Sequence, residues 1–152
     1  MKSYAKMILM ATCAVLLLTA FAAADTPGAH PAYLHALTDL RHARAHLDRL
    51  TPNERVDADE QRAIDAIDAA IREVKEAAID DGKPLSDHPP VDAHWSHADR
   101  LRRAMELLDS AHKDIDERES DGFAKGLKKR ALHHIDEARD AVHHAMKAEH
   151  HE

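Results

Sequence analysis

Histidine and carboxylate side chains recur in two short segments at positions i, i+4, i+7 and i+11, offsets that return to one face of an α-helix. The first set is His35, Asp39, His42 and His46, and the second is His133, Glu137, Asp140 and His144. At 100° per residue, each set stays within about 60° and therefore predicts one continuous stripe along its helix. Imidazole and carboxylate groups bind borderline divalent metals, so the stripes predict cation-binding surfaces.

The chain contains fourteen histidines, and all of them follow residue 29. His143 adds a further imidazole beside the second stripe. Another group of ligand-type side chains surrounds a proline-rich segment and comprises Asp87, His88, Asp92, His94 and His97. A prolyl loop can bring such groups together around an ion, but a solvated polar linker has the same composition. The sequence leaves both interpretations of this group open.

The first 24 residues resemble a secretory signal peptide. Lys2 and Lys6 give a basic start, Met7 to Ala20 form an apolar run, and Ala22 to Ala24 form a small-residue cleavage site. The apolar run is too short for a comfortable membrane span. We therefore expect a periplasmic or secreted protein that is cleaved after Ala24 and has no stable membrane anchor.

Cleavage at this point leaves residues 25–152 without a cysteine, because Cys13 is the only one in the chain. A lipid anchor on Cys13 is the alternative, but Thr12 precedes it where Gly, Ala or Ser is expected, and the apolar run continues beyond it. The mature chain then has 19 basic and 28 acidic residues, a net charge of −9. Such a charge attracts cations and repels nucleic acid and anionic membranes. Its few aromatic residues offer no base-stacking surface, so we expect no nucleic-acid partner.

Four amphipathic helices and no strand are predicted from apolar residues spaced three and four apart. The first helix follows Pro31, and the second begins at Asp57, which caps it together with Glu60, and ends at Gly82. The third and fourth helices lie on either side of Gly122. The residues predicted to face inward are Tyr33, Leu37, Leu40, Leu47, Ile64, Ile67, Ile71, Val74, Ala78, Ala98, Leu101, Met105, Leu108, Ile115, Leu127, Ala131, Ile135, Ala138 and Val142.

A linker at residues 82–92 contains three prolines and cannot be helical throughout. It separates two hairpins, residues 31–82 and 93–149, whose sequences resemble each other. Residues of the first helix recur 61 positions later in the third helix, and residues of the second recur 68 positions later in the fourth. We therefore predict an all-α fold, an up-and-down four-helix bundle built from a duplicated helical hairpin.

The duplication provides an internal comparison for the histidines. The first repeat has Asp65, Ala66, Lys75 and Glu76 where the second has His133, His134, His143 and His144, and the second has Arg103 and Leu107 where the first has His42 and His46. Because the same template forms without imidazole at these positions, we infer that the histidines do not serve packing. We expect the first stripe to lie opposite the leucine face and to be exposed. The first and last helices are neighbours in an up-and-down bundle, which allows the two stripes to share ions.

Catalytic and redox-cofactor chemistry has little support in this chain. Without a mature thiol and with only four glycines, it has no nucleophile elbow and no phosphate-binding loop. The inward Glu and Glu-x-x-His set of a di-iron centre is absent, as is the Cys-x-x-Cys-His motif of attached haem. His112 falls in an apolar heptad, which favours a core histidine bonded to a carboxylate or water and leaves an interior ligand as the alternative. We expect a binding protein and not an enzyme.

This sequence resembles the small metal-binding proteins of the bacterial periplasm. The shared features are a short exported chain, the lack of cysteine in the mature chain and histidine stripes along helices. These are His-rich four-helix bundles that bind copper and other divalent ions, and the resemblance covers the architecture and composition of residues 25–152. It implies metal binding through His35, His42 and His46 on one helix and through His133 and His144 on another.

We therefore expect periplasmic binding or buffering of divalent transition metals. Nitrogen and oxygen ligands without thiolate favour Cu(II), Ni(II) or Zn(II) over Cu(I). The candidate ligands are His35, Asp39, His42, His46, His133, Glu137, Asp140, His143 and His144. Two alternatives remain: an envelope stress or adaptor protein that holds a protein partner through its acidic helical surface, and a proton buffer.

Overall fold

The computed structural model describes residues 31–48, 57–77, 82–92, 94–116 and 122–149. These residues form four helices and no strand, which confirms the prediction of an all-α four-helix bundle. The helices are α1 (Pro31–Leu47), α2 (Ala58–Ala77), α3 (His97–Ile115) and α4 (Gly122–Glu149). The predicted signal peptide and its cleavage site lie outside the described residues. Among the helices that are described, none is long and apolar enough to cross a membrane.

The core consists of the residues that the helical periodicity predicts. Leu37, Leu40, Ile67 and Ile71 each have no exposed surface, and the equivalent face of the second hairpin is equally buried. Burial of one such side chain contributes about 1.5–3 kcal/mol, so this apolar face holds the bundle together. Among the residues predicted to face inward, Ala98 and Met105 are half-buried, and Ala78 lies outside the described residues.

Local hydrogen bonds fix where two of the helices begin. Asp57 Oδ1 accepts a bond from the Glu60 N–H at 2.7 Å, and Glu60 Oε2 accepts one from the Asp57 N–H at 2.9 Å. This reciprocal pair is the predicted capping box of α2. Ser96 caps α3, its hydroxyl oxygen accepting a bond from the Asp99 N–H at 3.1 Å. The cap places His97 in the first turn of α3, two residues after Trp95.

The helices are arranged so that α1 contacts α2 and α3, and α4 also contacts α2 and α3. Within the described residues the backbones of α1 and α4 do not approach each other closely, so these helices lie diagonally and the expectation that they are neighbours is wrong. Each helix instead packs against its own repeat counterpart, α1 against α3 and α2 against α4. Equivalent residues such as Ala43 and Ala104, or Ile67 and Ile135, have no exposed surface and belong to the same core.

The route of the linker explains this arrangement. His97, at the start of α3, contacts Glu60 near the start of α2 and Glu149 at the end of α4. The helices α2 and α3 therefore begin at the same end of the bundle, and the linker has to return along its length. Twenty residues of helix span about 30 Å, and an extended chain of eleven residues reaches about 36 Å. The linker at 82–92 is long enough for this crossover. As a result, α3 takes the position beside α1 that α4 has in a simple up-and-down bundle, and α4 lies diagonally across from α1.

Candidate metal centre

The stripe on α1 runs from solvent into the protein interior. His35 is exposed, Asp39 and His42 are half-buried, and His46 retains only 2% of its surface. The expectation that the whole stripe is exposed is therefore wrong for His46. The reason is tertiary, because the residue that covers His46 is Trp95, which comes just before α3. The repeat already carried this signal, since the counterpart of His46 is Leu107, a buried residue at 4% exposure.

The His46 ring contacts two other aromatic rings. It stacks on Trp95 with a centroid separation of 5.1 Å, and the His42 ring lies 4.7 Å away on its own helix. Neither ring nitrogen of His46 has a hydrogen-bond partner among the described residues, although both atoms are buried. An unpaired buried polar group costs about 1–3 kcal/mol and calls for an explanation such as a bound water or ion. His46 therefore offers an uncommitted nitrogen lone pair beside His42.

Burial and nearby positive charges favour the neutral form of His42 and His46. Burial lowers the pKa of His46 to about 4, helped by the positive charges of His42, Arg103 and Arg100. Burial also lowers the pKa of His42, with Arg103 and His88 acting in the same direction and Asp39 opposing them. A neutral imidazole is the form that coordinates a metal. At neutral pH this pair therefore presents unprotonated nitrogens.

The stripe on α4 lies on the outer surface of the bundle. The five residues of this surface that the sequence names as ligands are all exposed: His133, Glu137, Asp140, His143 and His144. Glu137 Oε2 accepts a hydrogen bond from His134 Nδ1 at 2.9 Å when that nitrogen carries the proton, and Glu137 Oε1 lies 3.5 Å from His133 Nε2. These contacts already engage the carboxylate that the sequence assigns to a metal. The stripe on α4 therefore provides single imidazoles and short His–Glu pairs.

His134, which was not among the predicted ligands, belongs to the same surface. It lines a groove of about 480 Å³ between α2 and α4 together with Asp65, Glu137, Asp140 and His144. His133 lines a different groove, whose other residues include lysines near the start of α4. The adjacent pair His133–His134 was the available signal, because two successive residues of a helix point about 100° apart and reach different grooves.

The histidines around the linker take separate positions. His94 is exposed, and its backbone N–H bonds to Asp92 Oδ1 at 2.8 Å. His97 instead lies between Glu60 and Glu149, with 2.7 Å from each of its ring nitrogens to a carboxylate oxygen. Of the group that the sequence left open, His88 is the one whose charge acts on His42 and His46.

His112 on α3 is only half-buried, and its Nε2 lies 3.6 Å from Asp136 Oδ1 on α4. The carboxylate partner that the sequence favoured is thus present, but it comes from the neighbouring helix and the contact sits at the edge of the core. The surroundings of His112 therefore do not support the alternative that it is a metal ligand in the interior of the bundle.

Across the described ranges, no group of three or more His, Cys, Asp or Glu side chains is assembled closely enough to hold a metal ion. Among the described residues that the sequence predicts as ligands, His42 and His46 form a pair of adjacent rings whose centroids are 4.7 Å apart. Comparison of the chain with protein-family models, curated proteins and solved structures returns no match. Any functional conclusion for this protein therefore rests on the chemistry of its own residues.

Proposed function

We propose that this protein binds divalent transition-metal ions, Cu(II), Ni(II) or Zn(II), in the bacterial envelope, and that His42 and His46 form its principal site. The observation that carries the proposal is a pair of neutral imidazoles one helical turn apart. One of them, His46, is buried, and neither of its ring nitrogens has a hydrogen-bond partner in the described part of the chain. Imidazoles at i and i+4 on a helix can chelate one ion. Asp39, one turn back on α1, supplies a nearby negative charge.

The exposed residues of the second stripe form an additional, weaker class of site in this proposal. The imidazoles of His133, His143 and His144 are exposed to solvent. Glu137 contacts both His133 and His134. An ion at this surface has to displace those contacts and gains little from preorganisation. Because the described parts of α1 and α4 lie diagonally across the bundle, we expect the two classes to load independently.

Trp95 gives a direct experimental test, because it is the only tryptophan of the chain and stacks on His46. Titration of the purified protein with Cu(II) or Ni(II) is expected to quench its fluorescence with a saturable curve, while calorimetry measures total binding. A His42→Gln, His46→Gln double variant should lose the quenching. The matched control is a His35→Gln, His143→Gln variant, which also removes two imidazoles but only exposed ones.

The proposal fails if calorimetry detects no binding of Cu(II), Ni(II) or Zn(II) to the parent protein. It also fails in its assignment of the principal site if the His42, His46 double variant keeps both the quenching and the affinity. A protein partner captured equally well with and without metal by a parent that binds no ion would instead support the adaptor alternative.

A further inference from the structure

The two hairpins of this chain meet along an extensive shared face. Among the described residues, the most extensive contacts between helices are those of α2 with α4 and of α1 with α3, and both pairs join one hairpin to the other. We propose that this face is also an interaction surface for a second copy of the chain, with which the protein exchanges hairpins. In the exchanged dimer, each four-helix bundle consists of one hairpin from each chain.

Each hairpin depends on the other to bury its apolar face. The contacts within a hairpin, α1 with α2 and α3 with α4, are less extensive than those between the hairpins, and one core contains residues of both. Ile67 of α2 and Ile135 of α4 have no exposed surface in this core. Because burial of an apolar face supplies most of the stability of such helices, a hairpin that is separated from its partner gains stability by binding an equivalent hairpin.

The hairpins are arranged as two copies of one hairpin are in a symmetric dimer. His46 at the end of α1 stacks on Trp95 just before α3, so these two helices run in opposite directions. Glu60 near the start of α2 and Glu149 at the end of α4 both contact His97, so α2 and α4 are also antiparallel. Antiparallel packing of each helix on its own counterpart is the pattern of an isologous, two-fold interface. A hairpin from another chain therefore completes the same surface.

The linker determines whether the two hairpins of one chain can meet. Its residues 82–92 are mostly exposed, and the Lys83 carbonyl accepts bonds from Arg41 Nη2 at 3.2 Å and from Lys75 Nζ at 3.1 Å. These two bonds join the linker to the first hairpin and do not attach the second hairpin to it. Exchange replaces the contacts between the hairpins of one chain by the same contacts between two chains, so it is a low-cost route to a dimer.

The exchange would build the candidate metal centre from two chains. His46 belongs to the first hairpin, whereas Trp95, whose ring lies 5.1 Å from it, follows the linker. In the exchanged dimer, Trp95 of one chain covers His46 of the other. The 2.7 Å contact between His97 and Glu60 likewise becomes a contact between chains. The dimer itself does not require a bound metal, so this inference is independent of the proposed function.

A shortened linker provides the first test. Deleting residues 83–94 leaves residues 78–82 and 95–96 between α2 and α3. These residues span at most about 25 Å, whereas α2 has 20 residues and is about 30 Å long. The second hairpin then cannot reach its place beside the first hairpin of the same chain. We expect sedimentation equilibrium to give twice the mass of one chain, with the helicity of the parent by circular dichroism. The matched control replaces the deleted residues with a Gly-Ser segment of equal length and should have the mass of the parent.

Complementation between two chains provides the second test and leaves the linker unchanged. Ile67→Asp disables the first hairpin and Ile135→Asp the second, because each places a carboxylate in the core. When these variants are refolded together, their undamaged hairpins can form one intact bundle. We expect the helical signal of the mixture to exceed the mean of the two variants refolded separately. A mixture of Ile67→Asp and Ile71→Asp, which both damage the first hairpin, is the control and should show no gain.

A folded monomer of the shortened variant would overturn the proposal, since its hairpins would then pack together without exchange. An unfolded shortened variant together with a complementary mixture that gains no more helicity than its control would overturn it as well. A dimeric shortened variant supports the exchange, and so does a gain in the complementary mixture if the shortened variant fails to fold. Neither test involves metal, so a failure here leaves the His42–His46 site to be decided by its own titration.

Discussion

Nε2 of His97 lies 2.7 Å from Oε1 of Glu60, and this contact joins the first turn of α3 to the first turn of α2. Glu60 is a buried carboxylate that also closes the capping box with Asp57. The other ring nitrogen of His97 lies 2.7 Å from Glu149 Oε2 at the end of α4. One imidazole therefore connects three helices at one end of the bundle, and it can donate to both carboxylates only when it is protonated.

The first prediction concerns the pH dependence of this contact. Burial of the ring works to lower the pKa of His97, but the hydrogen bonds to Glu60 and Glu149 outweigh it and raise the pKa above 6.5. A raised pKa in the folded state gives stability that is fully present below the unfolded value of about 6.5 and is lost as pH rises through the folded pKa. Between the unfolded and the folded pKa of His97, the stability falls by at most about 1.4 kcal/mol per pH unit.

Urea denaturation of the parent and of His97→Gln across pH 5 to 9 measures this effect. We expect the free energy of unfolding of the parent to exceed that of His97→Gln most at the acidic end of this range. The difference should shrink as pH rises. His143→Gln, at an exposed position of α4, is the control. A difference between parent and His97→Gln that does not change with pH would show that the contact does not depend on the imidazolium.

The second prediction tests the core. Ile71 has no exposed surface, so Ile71→Asp places an unpaired carboxylate in the apolar interior and should cost more than about 3 kcal/mol. Asp65, on the same helix, is exposed, and Asp65→Ala should change stability by less than about 0.5 kcal/mol. Thermal melts followed by circular dichroism compare the two. Equal melting temperatures would contradict the burial pattern of α2.

The third prediction concerns the energetic cost of His46. Replacing it with leucine, the residue at the equivalent position 107, removes two buried nitrogens that have no hydrogen-bond partner among the residues that the structure describes. We expect His46→Leu to stabilise the protein by about 1–3 kcal/mol and at the same time to abolish the response of Trp95 to Cu(II). Denaturation and fluorescence titration measure the two effects on one sample. A destabilised variant would show that His46 makes interactions that its geometry does not reveal.

The fourth prediction uses Arg103, whose positive charge lowers the pKa values of His42 and His46. The same charge repels a bound dication. Arg103→Gln should therefore increase Cu(II) affinity at pH 7.5 by about 2- to 5-fold, as expected for removing a unit charge several ångströms away in a largely aqueous environment. Arg102→Gln, on the same helix but not among the charges acting on either histidine, should leave the affinity unchanged. An increase in both variants would indicate a general charge effect.

The fifth prediction separates the two stripes. His133→Gln combined with His144→Gln removes exposed imidazoles of α4 and should lower the calorimetric stoichiometry without changing Trp95 quenching. The bundle should remain folded, since the equivalent positions of α2 hold Asp65 and Glu76. A loss of quenching in this variant would mean that the sites on α1 and α4 are coupled, despite the diagonal positions of these helices in the bundle.

Much of the fold follows from local sequence patterns. The apolar residues of α2 and α4 recur every three or four positions, and this periodicity alone predicts that Ile67 and Ile135 are buried. The capping box at Asp57 and Glu60 is likewise local, since its two hydrogen bonds join residues three apart. His133 and His144 are exposed on α4, at positions that lie off its apolar face.

The tertiary structure decided the neighbours of each helix and, through them, the character of the candidate site. Helical periodicity specifies which face of a helix is apolar, but it does not specify which helix covers that face, because all four helices present similar aliphatic surfaces. The crossover of residues 82–92 made that choice by placing α3 beside α1. It thereby brought Trp95 onto His46 and buried a histidine that its own helix would leave at the edge of the polar face. It also brought His97 between Glu60 and Glu149, residues 37 and 52 positions away, a separation that no local pattern in the sequence records.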